Sequence, residues 1–174
     1  MNYLIEPQKQ VEICARAEVL ILGGGPSGIA AAIASARSGS KTILLERYGF
    51  LGGLGTAAMV TNFCGLHANI NGTVQRIVHG VADDILARLE DLGGLNAPHH
   101  IKGRNGGHDT AAQAYDTAAY KVVADELLKD AGVDIRFHSL AAGVAMKNKS
   151  SIDAVILETK SGRKAIKAEI FICL

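Results

Sequence analysis

The stretch that decides the fold is Val19-Leu20-Ile21-Leu22-Gly23-Gly24-Gly25-Pro26-Ser27-Gly28-Ile29-Ala30-Ala31-Ala32. Four apolar residues read as a short buried strand. A Gly-x-Gly-x-x-Gly loop follows at Gly23, Gly25 and Gly28, and an alanine-rich helix follows the loop. Gly23 permits the tight turn out of the strand. Gly25 has no Cβ, so a pyrophosphate can approach the main chain, and Gly28 lets the helix pack close to the strand. The helix N-terminus offers unpaired N–H groups and a partial positive charge to the same phosphates.

Glycine loops often only turn a chain, so the context carries the reading. A second apolar run, Thr42-Ile43-Leu44-Leu45, ends in Glu46. An acid at the tip of the second strand can accept hydrogen bonds from the hydroxyls of an adenosine ribose. Strand, loop, helix, strand and acid in this order predict a βαβ unit that binds a dinucleotide. The expected elements are a strand over residues 17–22, a helix over 26–38 closed by Gly39, and a parallel strand over 41–46 joined by a right-handed crossover.

Bulk properties exclude several classes. The chain has 174 residues, a formal net charge of +1, 48% hydrophobic residues and 20% charged residues. That is a globular composition. It supplies no electrostatic argument for nucleic acid or an anionic membrane. No apolar run is long enough to span a bilayer, and residues 1–17 lack the apolar core of a secretory signal. Cys14, Cys64 and Cys173 form no Cys-x-x-Cys pair. The simplest reading is reduced thiols in a cytoplasmic protein.

After Glu46 the chain departs from an ordinary nicotinamide-binding domain. Glycines crowd positions 49–55, next to the ribose-binding tip, which points to backbone lying against a ligand. An excursion over residues 47–115 contains an amphipathic helix at 81–92, its charged residues forming a solvated face. Residues 95–114 read as a loop. Five of the six histidines (His67, His79, His99, His100 and His108) fall between positions 67 and 108, without the helical ligand spacing that zinc sites favour. No metal is expected. Asp116 caps a third helix over 117–131, and a strand over 133–137 returns parallel to the first two. Three short runs near 142–146, 154–159 and 164–167 predict an antiparallel three-stranded β-meander, and residues 168–174 a last strand in the parallel sheet. The fold class is therefore α/β, a Rossmann-like parallel sheet with a meander. Residues 1–16 form a polar lead-in and residues 17–174 the nucleotide-binding domain.

The glycine block at 19–32, the block Leu44-Leu45-Glu46-Arg47-Tyr48-Gly49-Phe50-Leu51-Gly52-Gly53, and Thr56-Ala57 resemble the start of FAD-dependent oxidoreductases with the glutathione-reductase-like FAD fold. The resemblance continues through Tyr115-Asp116 and from Gly132 onward. It implies FAD as cofactor and flavin-mediated hydride or electron transfer on an unknown small-molecule substrate. It implies that Gly23, Gly25 and Gly28 line the pyrophosphate, with Pro26 and Ser27 supplying backbone. Glu46 would hold the ribose and Arg47 would lie beside the adenine or phosphates. Gly52, Gly53 and Thr56 would approach the phosphates or the ribityl–flavin end, and Ala141 would meet the adenine edge through its backbone. Such enzymes continue their last strand into Asp-Ala-Thr-Gly-Asp, whereas here position 173 is Cys. The resemblance thus casts the chain as the N-terminal portion of an incomplete FAD/NAD(P)-binding domain, without its substrate half. That half would come from a homo-oligomer or a partner chain, and FAD affinity would fall below that of a full-length relative. No catalytic residue can be named: Tyr48, Thr56, Cys64 and His67 follow the glycine loop, and packing or solvent exposure is the simpler role for each. Two other readings stand beside this one, an NAD-binding dehydrogenase module and a non-catalytic nucleotide-binding fragment.

Overall fold

In the computed structural model, which describes residues 4, 8–103 and 109–174, the apolar runs alternate between two cores. The chain runs β1 (Glu12–Arg16), β2 (Val19–Leu22), α1 (Pro26–Arg37), β3 (Thr42–Leu45), β4 (Asn62–Phe63), β5 (His67–Ile70), β6 (Thr73–Arg76) and α2 (Val81–Asp91). It continues through β7 (His99–Ile101), β8 (Thr110–Ala114), α3 (Thr117–Asp130), β9 (Asp134–Arg136), β10 (Ser139–Asn148), β11 (Ser151–Thr159), β12 (Gly162–Lys167) and β13 (Ile170–Cys173).

The parallel sheet has the order β13-β2-β3-β9. Val19, Ile21 and Leu44 face the helices, where they pack with Ile29, Ile33, Leu89, Val123 and Leu127. Leu20, Ile43 and Leu45 face the other way, onto Val155, Leu157 and Ile166 of the second sheet. Strands buried on both faces explain why β2 and β3 are unbroken apolar runs. The result is three layers: helices, parallel sheet and meander. Asp116 caps α3 through its side chain, which accepts from the amides of Ala118 and Ala119 at 2.7 and 2.9 Å. The charged face of α2 is tied by exposed pairs, Arg37 to Asp84 at 2.7 Å and Arg88 to Asp130 at 2.5 Å, which contribute little each.

The parallel pairing of β2 with β3, the parallel return of β9 and β13 to that sheet, and the antiparallel β10-β11-β12 meander match the sequence reading. Two expectations are corrected. The lead-in does not reach residue 16: β1 pairs in parallel with β12, which makes the second sheet four-stranded and joins residues 12–16 to the domain. Nor is 95–114 only a loop, because β7 and β8 pair with each other and β8 with β4. His108 lies outside the described residues. Among those described, no group of three or more His, Cys, Asp or Glu side chains is placed to hold a metal ion. No described helix is long and apolar enough to cross a membrane.

Candidate functional site

The carboxyl ends of β2, β3 and β13 open into a cavity of about 630 Å³, within the usual range for small-molecule sites. It lies where the chain order reverses. From β2, helix α1 leads to β3 on one side, while β13 comes to pair on the other. Such switch points are where open α/β sheets leave a crevice.

One wall is the turn from β2 into α1. Gly23 has φ +109°, a conformation that L side chains rarely adopt. Apart from its chain neighbours, a Cβ on Gly25 would meet none of the described residues within 4 Å, so this residue faces open space. A Cβ on Gly28 would lie 1.9 Å from the Gly23 carbonyl oxygen, so helix and turn touch there. No side chain caps α1, and Pro26 stands in its first turn. The amides of that turn are therefore left for an anion, which is the donor set a diphosphate fits.

The opposite wall is the loop after β3, where Gly53, Leu54, Ala57 and Ala58 line the cavity. The Gly52 amide donates to the Gly24 carbonyl at 2.8 Å, and a Cβ on Gly53 would lie 2.8 Å from the Gly25 Cα. The two glycine segments are thus in direct backbone contact. At the far end stand Glu46, Arg47 and Tyr48, facing Ser139, Leu140 and Ala141 of β10. Glu46 is 6% exposed. Its Oε2 accepts from the Gly24 amide and its Oε1 from the Tyr48 amide, both at 2.8 Å. One carboxylate therefore fastens the glycine turn to the strand tip, and each oxygen keeps a second lone pair. The Arg47 guanidinium lies 4.7 Å from the Tyr48 ring centroid, and Tyr48 stacks on Phe50 at 5.6 Å.

Of the residues predicted from sequence, Gly23, Gly25, Pro26, Ser27, Glu46, Arg47, Gly53 and Ala141 line the cavity. Gly28, Gly52 and Thr56 do not. Gly28 is buried against the turn, and a Cβ on Gly52 would press on Thr56 at 2.3 Å. Thr56 is 2% exposed and spends its hydroxyl on the Leu51 carbonyl at 2.7 Å. These three shape the walls from behind. Cys64 and His67 are not part of the lining either, whereas Tyr48 is. Gly24, Ser139, Leu140 and Leu174 also border the cavity. Of these only Gly24 carried a sequence signal, as the residue between two motif glycines.

A second aromatic group stands behind the loop wall. Tyr115 stacks on Phe63 at 4.1 Å and meets Tyr120 edge-on at 5.2 Å. Burial pushes both phenols above their usual range, so both are neutral hydroxyls near neutral pH.

Residues 18–172 match the family described as FAD dependent oxidoreductase. The chain belongs to this family. FAD is the cofactor of that FAD-dependent family, which separates it from a nicotinamide-binding module. The chain is 40% identical over 55 residues to a thioredoxin reductase of Aquifex aeolicus, an alignment covering 32% of this chain and 17% of that protein. Among solved structures, a 3-ketosteroid-delta4-(5alpha)-dehydrogenase of Rhodococcus jostii has a TM-score of 0.59 at 13% identity, over 91% of this chain and 46% of that one. A geranylgeranyl bacteriochlorophyll reductase-like protein of Thermoplasma acidophilum has a TM-score of 0.57 at 19% identity, over 91% of this chain and 39% of that one. The FAD-dependent oxidoreductase chain thus shares their fold and spans less than half of each.

Proposed function

We propose that this chain is the FAD-binding part of an FAD-dependent oxidoreductase and that the cavity above β2 and β3 holds the ADP half of the cofactor. The observation that carries the proposal is the convergence of three features on one crevice: a helix N-terminus with no capping side chain, a left-handed glycine turn and a buried carboxylate. The diphosphate would lie against Gly23 and Gly25, taking the first amides of α1 near Pro26 and Ser27. Gly28 would act from behind, by holding helix and turn together. Glu46 would accept from the ribose hydroxyls with its remaining lone pairs, and Arg47 would flank the adenine or phosphates. The backbone at Ala141 would border the adenine edge. Gly53 would meet the phosphates or the ribityl end, with Gly52 and Thr56 setting its position.

When bound, FAD supplies hydride or electron transfer, and the protein supplies position and electrostatics. The substrate is an unknown small molecule, and the proposal names no acid, base or nucleophile. The chain spans less than half of each structure named above, so the proposal is confined to the cofactor-binding part. A cytoplasmic location is part of the same reading, supported by the free thiols Cys14, Cys64 and Cys173. The test is titration of the purified chain against FAD, followed by quenching of flavin fluorescence, with ADP as competitor. Saturable FAD binding that ADP displaces is expected. Absence of FAD uptake, or NADH binding in its place, would refute the assignment.

A further inference from the structure

We infer that Tyr115 is a positioning residue for the cofactor, acting through its hydroxyl on the loop that forms the second wall of the cavity. The inference rests on the FAD reading above and concerns what holds that wall. Between Leu51 and Asn62 the chain has no strand and only a single 3-10 turn at Gly53–Gly55. The front of the loop is pinned by the Gly52 amide on the Gly24 carbonyl at 2.8 Å. The back is pinned by Tyr115, 60 residues away from Gly55 in sequence. Its hydroxyl lies 2.5 Å from the Val60 carbonyl oxygen and 3.1 Å from that of Gly55, so its single proton serves two loop carbonyls. Gly53, Leu54, Ala57 and Ala58, the cavity-lining residues, fall between or beside these pins.

Tyr115 is itself rigidly held. Its amide donates to the Thr61 carbonyl at 3.0 Å, and the next residue, Asp116, caps α3. Phe63 and Tyr120 pack on its ring. A Cβ at Gly55 would sit 2.7 Å from the Tyr115 hydroxyl oxygen and 2.8 Å from Tyr120 Cε1, so loop and aromatic group meet with no spare space. Tyr120 supplies the control. Its ring belongs to the same group, yet its buried hydroxyl has no hydrogen-bond partner among the described residues. The hydroxyl of Tyr115 fixes the wall, and Tyr120 contributes its ring only.

The experiment compares FAD titrations of the unsubstituted chain, Tyr115→Phe and Tyr120→Phe, with the visible absorption and circular dichroism of the flavin recorded at saturation. Tyr115→Phe is expected to weaken FAD about tenfold and to alter the bands of the bound flavin. Tyr120→Phe is expected to leave affinity within about twofold and the bands unchanged, because no hydrogen bond is lost. Gly55→Ala approaches the same junction from the loop side with the hydroxyl intact, and is expected to weaken FAD even if Tyr115→Phe does not fold. Equal losses in the two Tyr→Phe variants would overturn the inference, since packing alone would then account for them. Unchanged FAD binding in Tyr115→Phe or in Gly55→Ala would also overturn it. If the unsubstituted chain takes up no FAD, the cofactor reading itself fails. If it binds and Tyr115→Phe matches it, only the fastening role fails.

Discussion

The two walls of the cavity are built by different means. The turn Leu22–Gly28 takes its shape from its own backbone, with a left-handed Gly23 and a Gly28 pressed on the Gly23 carbonyl, and hydrogen bonds of the Gly23 and Gly24 amides tie it to the end of β3. The loop opposite has a 3-10 turn and short-range hydrogen bonds of its own, and distant partners fasten it to the rest of the molecule, Gly24 in front and Tyr115 behind. The strand tip joins the two systems, because the Glu46 carboxylate holds the amides of Gly24 and Tyr48 together. A wall fixed by local geometry fails as a fold when altered. A wall fixed by remote hydrogen bonds fails first as a binding surface.

Three substitutions press on this contrast. Gly28→Ala strikes the local wall, since its methyl would lie 1.9 Å from a backbone oxygen. A loss of about 3 kcal/mol or more is expected, read as a lower urea midpoint of the FAD-free chain. Unaltered stability would mean that the turn is not set by that contact. Gly53→Ala strikes the boundary between the walls, where φ is +49° and the new Cβ would stand 2.8 Å from Gly25 Cα. A stability loss of about 1–2 kcal/mol is expected from the left-handed backbone, accompanied by a larger fall in FAD affinity as the walls separate. A stability loss with unchanged affinity would contradict the idea that this contact sets the width of the cavity. Asp116→Ala removes the cap of α3 beside Tyr115. It should cost about 1 kcal/mol, seen as a melting point lower by about 2–4 °C, with FAD affinity held within about twofold. A clear loss of affinity there would extend the fastening of the loop to the start of α3.

The same contrast governs what could be read from sequence. β2, α1 and β3 were legible because strands buried on both faces and a helix closed by glycine leave strong local patterns in apolar order. The meander was legible from its spacing and the Ser161-Gly162 turn. β1 was not: Glu12–Arg16 is largely exposed, and its partner Gly162–Lys167 lies at the other end of the chain. β8 has the sequence Thr-Ala-Ala-Gln-Ala, a poor strand former by composition, and is a strand because β4 and β7 pair with it. The β5–β6 hairpin did carry a signal. Asn71 and Gly72 have φ +52° and +87°, the left-handed pair that an Asn-Gly turn favours. In the site, Gly23, Gly25 and Glu46 followed from spacing. Ser139 and Leu140 did not, because the chain passes from β9 into β10 through His138 with φ +52°, and no local pattern announces that turn. Tyr115 stood out only within the family resemblance and its role did not, since a hydroxyl reaching carbonyls far back in the chain leaves no periodic trace.

The most direct test of the central claim is the FAD affinity of Gly25→Val. Apart from its chain neighbours, a Cβ at Gly25 meets no described protein atom within 4 Å, so the added side chain starts out into the space assigned to the diphosphate. The account predicts a folded chain, less stable by about 1 kcal/mol through the poorer helix N-cap, with FAD binding lost. A Gly25→Val chain that binds FAD as the unsubstituted chain does would contradict it.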